Sequence, residues 1–568
     1  MGNCTGVCDD ESSKDHAILK VDSAASNGKS TTRSNLVFNT TKRNVSDYYT
    51  VVRMLGEGSM GSVACVRKKQ DAVGGSAYTI KKKNWFGRKS VVRKNIPMDV
   101  ISDSRTKLYA LKSIILSRVS NDFIEELRNE IRILQSLDHP NIVKAYEVYE
   151  SKVNLYVVLQ HCSGGDLYAR VPYSEKDSAK IVGKLMSAVA YMHAHNVCHR
   201  DIKFENIMFE SNAPDAEIKL IDFGLSKAYS PEKKFMSEGV GTIYTMAPQV
   251  LRGVYTSQAD NWSIGVVTYM LLSSTKPFYG KKRRHVVNKI LKGEYTFYSK
   301  AWNTLSQDSK DFVSALLQVD SKKRMTAKDA LAHPWLNTQF ALSDRLPTRE
   351  TMQSIHESIA SYASTGEFKK MALMVIAHQS TTDDISELRK VFDAYDTAND
   401  GTITYEEFYQ AIKSVNENYT DADIEQLFKS VDTGNDNKIY YLEFLAATLE
   451  ARGRITEERL ADAFDRIDSD DSGAISRENL MELLGSEYSE EKINAFLDEV
   501  DTDGDGSISF EEFLKCFQED QRKQVRKFRP EYGESGISND SSPMPSTRSD
   551  LFEVGEPAID EEEKTECE

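Results

Sequence analysis

A unit of 33–36 residues repeats four times between residues 384 and 517, and no other feature of this 568-residue chain restricts its fold so tightly. The units have central loops that begin at Asp396, Asp432, Asp468 and Asp501. The eighth loop position is Ile403, Ile439, Ile475 or Ile508, and the residue just past each loop is Phe408, Phe444, Leu480 or Phe513. Apolar residues fixed at two places around a polar loop predict a helix, a turn and a second helix, with the isoleucines pairing neighbouring loops. Four matches at both places leave chance no serious role.

The polar positions of these loops carry the chemistry. Calcium takes six to eight oxygens, and an EF-hand loop offers them at positions one, three, five, nine and twelve, with a backbone carbonyl at seven and a turn residue at six. The fourth loop is complete: Asp501, Asp503, Asp505, Gly506, the Ser507 carbonyl, Ser509 and the bidentate Glu512. The first has Asp396, Asp400, Gly401, the Thr402 carbonyl, Thr404 and Glu407, but Ala398 at position three. The second has Asp432, Asp436, the Lys438 carbonyl and Glu443, with Gly434 at position three and Asn437 in the turn, where Asn tolerates left-handed backbone. The third has Asp468, Asp470, Ser472, Gly473 and Ser476, but Asn479 puts one neutral oxygen where two charged ones are expected. Calcium affinity is therefore expected to be highest at the fourth loop and lowest at the third.

A second constellation lies upstream. After Leu55, Gly56-Glu57-Gly58-Ser59-Met60-Gly61-Ser62-Val63 reads as a glycine-rich loop whose backbone can approach phosphate oxygens. Tyr109-Ala110-Leu111-Lys112 ends an apolar strand in a lysine, for which Glu130 on the following helical pattern is the candidate partner. His199-Arg200-Asp201-Ile202-Lys203-Phe204-Glu205-Asn206 is followed by Asp222-Phe223-Gly224. Phosphoryl transfer needs alignment and charge neutralisation more than covalent help. Asp201 suits orienting an attacking hydroxyl and taking its proton, and Asn206 and Asp222 suit holding magnesium.

These residues resemble the eukaryotic protein kinases over about Tyr48–Trp335. The resemblance implies two lobes with ATP between them, Lys203 as the serine/threonine form of the catalytic loop, Leu159 as gatekeeper, and Gln160 and Cys162 in the hinge. Leu55, Val63 and Asp166 are then nucleotide-side residues, and Asp260 braces the catalytic loop from below. Phe204 stands where the family usually has proline. Gln249 replaces a glutamate that pairs with the arginine corresponding to Arg324, so a weaker buried pair and a less stable large lobe are expected.

A kinase joined to four EF-hands resembles the calcium-dependent protein kinases of plants and protists. The likeness extends through Phe368–Ala377, where Phe368, Met371, Val375 and Ile376 fall on one helical face. It implies an α+β fold: a bilobal kinase followed by an all-α calmodulin-like domain of four EF-hands. The implied activity is calcium-activated serine/threonine phosphorylation, blocked at low calcium by that segment, using ATP, magnesium and calcium and no separate calmodulin. The expected boundaries are an unstructured 1–46, a kinase domain 47–336, a regulatory junction 337–383, the sensor 384–518 and a disordered tail 519–568.

The remaining features concern partners and place. Asp166 and Glu205 resemble carboxylates that face the peptide groove and favour basic residues before the target Ser/Thr, although Asp166 also suits capping a helix or meeting the ribose. Met1-Gly2-Asn3-Cys4 resembles an N-myristoylation start at Gly2, with Cys4 and Cys8 open to palmitoylation; two lipids are needed for stable anchoring. No run of about 18 apolar residues exists. The seven cysteines do not form a disulfide framework, which points to a reducing cytosol and to the cytoplasmic face of a membrane. The formal net charge is −15, yet residues 67–107 carry twelve Lys/Arg against three Asp/Glu. That insert, with Trp85-Phe86 among its lysines, suits an anionic bilayer or a solvated loop; nucleic acid is disfavoured because no recognisable module accompanies it.

Overall fold

The computed structural model describes residues 35–527, with breaks at 41–43, 58–60, 70–81, 84–88, 91–106, 152, 231, 233–234, 299, 340–346, 454 and 486–488. Gly2, Cys4, Cys8, Gly58 and nearly all of the basic insert lie outside the described residues.

A six-stranded sheet forms the small lobe from β1 (Phe38–Thr40), β2 (Tyr49–Glu57), β3 (Gly61–Lys68), β4 (Leu108–Ile115), β5 (Ala145–Glu150) and β6 (Asn154–Gln160), in the order β1-β5-β6-β4-β3-β2. All neighbours are antiparallel except β1 and β5. The edge strand β1 corrects the expectation that residues 1–46 lack structure only at its described end, where Leu36 and Val37, just before the strand, are buried; residues 1–34 lie outside the described residues. Three consecutive apolar residues, Leu36–Phe38, supply what a polar tail lacks.

Helix α1 (Asn121–Ser136) carries Glu130 and starts at Ser120, whose hydroxyl accepts from the Phe123 N–H at 3.3 Å. The large lobe is built around α2 (Glu175–Ala194) and α3 (Gln258–Ser273), the second buried along nearly its whole length. Here Arg324 meets Gln249 in place of the usual glutamate. Gln249 does accept from the Arg324 guanidinium at 2.9 Å, but the carbonyls of Gln258 and Gln318 accept as well, at 2.6–3.1 Å. The buried cation thus has only neutral acceptors, and burial lowers its guanidinium to about 9, in line with the weaker pair expected from the sequence.

Beyond α4 (Arg283–Lys292), two helices, α5 (Arg349–Ala363) and α6 (Glu367–Gln379), lead into the sensor. Its helices are α7 (Thr382–Tyr395), α8 (Tyr405–Val415), α9 (Asp421–Val431), α10 (Tyr441–Thr448), α11 (Glu457–Ile467), α12 (Arg477–Leu484), α13 (Glu490–Val500) and α14 (Phe510–Lys527). The isoleucines pair as the repeat predicts: Ile403 opposite Ile439 and Ile475 opposite Ile508, in antiparallel two-stranded contacts. Helix α14 runs past residue 518, so the tail expected to be disordered from 519 is helical to Lys527; Glu, Gln, Lys and Arg are good helix formers there.

Helix α6 also departs from expectation. Phe368, Lys369 and every residue from Met371 to His378 are buried, so the helix is enclosed on all sides, not along one stripe. Phe368 meets the Phe496 and Phe513 rings edge-on, and its N–H and that of Lys369 donate to Glu499 at 3.0 and 3.3 Å. Gly366 offers no side-chain cap, so α13 supplies the anion that this helix start lacks.

The sensor seats on the large lobe through charge as well as apolar surface. Arg389 of α7 makes a bidentate pair with Glu210 at 2.9 and 3.2 Å, and Lys219 meets the same carboxylate at 3.1 Å. Burial opposes the Glu210 charge, but Lys219 and Arg389 override it and hold its carboxyl at about 2. Glu210→Gln leaves two buried cations with a neutral acceptor, and a loss of about 3 kcal/mol is expected in chemical denaturation. The Glu210 carboxyl ordinarily titrates near 4.5, so its contribution is complete above that pH and disappears as pH falls toward 2. An unchanged denaturation midpoint in the variant, with the same acid sensitivity as wild type, would show that the cluster carries no stability.

Candidate functional site

The cleft between the lobes gathers the groups that the sequence singled out. Lys112, on β4, meets Glu130 of α1 at 2.7 and 3.0 Å and lies 3.9 Å from Asp222. Burial works against the Lys112 charge, yet Glu130 and Asp222 hold its ammonium above the ordinary range. Lys112 is thus a fixed cation facing the cleft. Asp222 adopts left-handed backbone at φ +62°, while Phe223 behind it is buried edge-on against His199. The turn is held by that aromatic anchor and leaves the Asp222 carboxylate half exposed.

Asp201 sits at the centre of a dense network. Its carboxylate accepts from Lys203 at 2.6 Å, from the Thr242 hydroxyl at 2.7 Å and from the Asn206 amide at 3.2 Å. The Asn206 nitrogen also donates to the Asp201 carbonyl at 2.9 Å, which turns the amide oxygen the other way, as a magnesium ligand requires. Below the loop, Asp260 accepts from His193 and from the N–H groups of His199 and Arg200, each at 2.9 Å. Burial disfavours its charge, but His193 and these donors keep the carboxyl below the usual range. Phe204 is buried against the Tyr168 ring at 4.9 Å, so the change from proline leaves the polar groups in place.

The nucleotide-side residues divide. Leu55 is exposed and Val63 half-buried on the β2–β3 hairpin, and among the described residues nothing would meet a Cβ at Gly56. Gly61 has a different reason to be glycine: a Cβ there would lie 1.8 Å from the Ser113 carbonyl of β4. Leu159 packs against the core at the end of β6, and burial pushes the Cys162 thiol up to about 12. Gln160 turns its side chain away from the cleft to donate to Glu210 at 3.0 Å. Asp166 caps a short turn, accepting from the Tyr168 N–H at 3.0 Å. Glu205, exposed, accepts from the Tyr244 hydroxyl at 2.7 Å.

The four loops differ as their sequences imply. Among the described residues, Asp501, Asp503 and Glu512 bring carboxylate oxygens within 4.8 Å of one another, a set that fits a hard cation. Asp505 bonds the Ser507 N–H at 2.8 Å, fixing the turn that presents the Ser507 carbonyl. In the first loop Asp396 is buried and accepts from the Asp400 and Gly401 N–H groups at 3.0 and 2.8 Å. Burial, reinforced by Asp400, pushes its carboxyl well up, a condition that a bound cation relieves. Thr402 and Thr404 flank it, with Glu407 accepting from the Thr404 N–H at 2.9 Å. In the second, Asp432 accepts from Asn437 at 2.9 Å, Glu443 from the Tyr440 N–H at 2.8 Å, and Tyr440 donates to Asp436 at 2.7 Å, while the Lys438 ammonium reaches Thr402 at 3.3 Å. In the third, Asp468 accepts from Ser472 and Gly473 at 3.0 and 2.8 Å, but Asn479 points its amide N–H toward Ser469 at 3.0 Å and Asp470 at 3.4 Å. That loop presents a donor where a cation needs an acceptor, and the fit fails at position twelve.

Sequence reasoning missed Thr242, Glu210, Arg389 and Glu499. Arg389 was detectable: it interrupts the apolar stripe Ile385-Leu388-Phe392 of α7. Thr242 and Glu499 gain their roles only through contacts distant in sequence.

Residues 78–336 match the family described as the protein kinase domain, and residues 385–449 and 457–518 each match the EF-hand domain pair. The glycine-rich hairpin precedes that first match but belongs to the same sheet through β3 and β4. The chain is 36% identical over 319 residues to calcium-dependent protein kinase 5 of Plasmodium falciparum, covering 56% of this chain and 55% of that protein. It is 35% identical over 323 residues to calcium-dependent protein kinase 4 of Arabidopsis thaliana, covering 56% and 64%. With calcium-dependent protein kinase 27 of rice the identity is 33% over 390 residues, 67% and 57%. The chain therefore spans between about half and two thirds of the length of the curated relatives it matches. These domains imply ATP with magnesium in the cleft and calcium in the loops.

Calorimetric calcium titration is expected to lose its tightest site in Glu512→Gln and to gain a site in Asn479→Glu, which restores two charged oxygens to the third loop. Survival of the tightest site in Glu512→Gln would reverse the order of the loops.

Proposed function

We propose that this chain, which joins a protein kinase domain to two EF-hand pairs, is a calcium-dependent protein kinase that phosphorylates protein serine and threonine when calcium loads its own sensor. The observation that carries this reading is the Asp201 network together with the intact Lys112–Glu130 pair. Asp201, held by Lys203, Thr242 and Asn206, takes the proton of the substrate hydroxyl as its oxygen bonds the γ-phosphorus and the bond to the departing ADP breaks. Lys112, Asn206 and Asp222 offer charge and oxygen ligands for the nucleotide and its metal. Magnesium, when bound, offsets the negative charge on the phosphoryl oxygens.

Gating follows from the enclosed α6. An apolar helix of this kind needs a host, and here the sensor holds it, with Glu499 at its start and Phe496 and Phe513 on Phe368. That grip supports a reading in which calcium-free protein loses it and the segment Phe368–Ala377 obstructs the kinase. The exposed Glu205 supports a preference for basic residues before the target Ser/Thr; Asp166 supports it less, its carboxylate being used as a cap. Gly2, with Cys4 and Cys8, supports double acylation and residence at the cytoplasmic face of a membrane.

Phosphorylation of a serine peptide with upstream arginine is expected to rise at least about tenfold with calcium, and Asp222→Ala is expected to abolish it while leaving calcium binding intact. Equal activity with and without calcium would end the gating proposal, and substantial turnover in Asp222→Ala would end the assignment of the site. Gly2→Ala is expected to move the protein from the membrane to the soluble fraction; unchanged fractionation would exclude acylation as the anchor.

A further inference from the structure

Beside the catalytic loop lies a groove of about 470 Å³ lined by Thr242, Tyr244, Phe278, Tyr279, Arg283 and Val286, among others. Thr242 is the residue whose hydroxyl holds Asp201 at 2.7 Å, so the groove begins where the phosphorylated hydroxyl must sit. Lys276 and Arg283 line its outer wall, and the segment from Lys276 to Lys292 that carries them contains seven Lys/Arg and no Asp/Glu. Lys276, Lys281, Lys282, Arg283 and Arg284 are all exposed. Among the described residues, none of Lys281, Lys282, Arg283 and Arg284 has a carboxylate within ion-pair distance, whereas Lys292 meets Glu294 at 3.3 Å.

Two features argue against an ordinary solvated surface. Arg283 and Arg284 occupy the first turn of α4, where positive charge opposes the helix dipole and no acidic residue offsets it. Lys276 and Lys289 are drawn over the faces of Tyr244 and Tyr279, at 4.0 and 4.2 Å from the ring centres, so the groove wall itself carries cations. Tyr244 also marks the boundary with the opposite charge: its hydroxyl donates to Glu205, on the side assigned above to basic residues.

We propose that this groove selects substrates with acidic residues immediately after the phosphorylated serine or threonine, Lys281, Lys282, Arg283 and Arg284 being the specificity-determining residues. The inference rests on the kinase reading above and on its basic-upstream orientation. The preferred peptide is then bipolar: basic before the hydroxyl, where Glu205 lies, and acidic after it, where the chain passes Thr242 toward Arg283. The groove's continuity with Asp201 favours a peptide over an anionic bilayer.

The test uses the full chain with calcium and two peptides that share an upstream arginine and differ in carrying Glu or Gln at the three positions after the serine. The expected kcat/KM ratio favours the Glu peptide by roughly five- to tenfold at low salt, the sum of several exposed charge pairs. The ratio is expected to shrink as salt rises and to fall to about one when Lys281, Lys282, Arg283 and Arg284 are together replaced by alanine. A wild-type ratio of one, or a ratio that survives the fourfold replacement, overturns the inference while leaving the kinase reading intact. Failure to phosphorylate either peptide, with or without calcium, overturns the kinase reading and the inference with it. A ratio of one, combined with loss of binding to equimolar phosphatidylcholine–phosphatidylserine vesicles in the fourfold variant, assigns the patch to a membrane instead.

Discussion

Glu210 is the point at which the two halves of this molecule become one. It lies at the end of the strand pair Ile207–Phe209 and Ile218–Leu220, buried, with Lys219 from its own lobe and Arg389 from the sensor on one carboxylate. Gln160, from the hinge, donates to the same group. Three elements far apart in sequence therefore share one acceptor. A buried ion cluster of this kind contributes little net stability over an apolar packing, because desolvation offsets attraction, but a misplaced partner leaves a charge unpaired. Its effect is specificity: the sensor has one seat on the lobe. Around that seat Tyr440 joins the large-lobe core beside Tyr191, the Leu442 N–H donates to Asp138 at 2.7 Å, and Gly401 packs so close to His139 that a Cβ would lie 2.3 Å from the ring. The first EF-hand pair thus touches the turn that follows α1, the helix holding Glu130.

With the sensor seated there, the fate of α6 becomes a question of where a helix buried on every face can be covered. A helix buried on every face cannot stand alone in water. Its burial here is shared with α10, α11 and α13, so the grip needs both EF-hand pairs at once. If the kinase is the second host, as proposed above, the segment is a bistable element, and a ligand shifts such an equilibrium only by binding one arrangement more tightly than the other.

How much of this was legible depended on whether the signal was local. The catalytic loop, the Asp-Phe-Gly turn and the EF-hand loops are contiguous motifs with fixed spacing; the first two meet in the cleft, and each EF-hand loop gathers its own polar groups. The strand β1 was missed because Leu36-Val37-Phe38 is short and set in polar sequence. The carbonyls that accept from Arg324 beside Gln249 were invisible because every residue carries one. Helix α6 was read as amphipathic because Phe368, Met371, Val375 and Ile376 fit one face; Leu373, Met374 and Ala377, which fill the others, were in plain view. Lys219 between Ile218 and Leu220, like Arg389 in its apolar stripe, was a local anomaly whose meaning needed the partner.

The same distinction explains why the fourth loop is well placed to transmit calcium. Its ligands run from Asp501 to Glu512, and contacts with α6 stand at both borders: Glu499, two residues before, caps the helix start, and Phe513, one residue after, packs on Phe368. Both flanking helices therefore end on the same turn of α6. A cation that fixes the angle between α13 and α14 fixes the cap and the aromatic wall together, and removing it frees both. In the third loop Asn479 points a donor inward. The fourth hand thus combines the complete ligand set with the cap and the aromatic wall at the start of α6. Calcium affinity and grip are then two expressions of one free energy, since whatever binds the gripping arrangement preferentially is held more tightly by it.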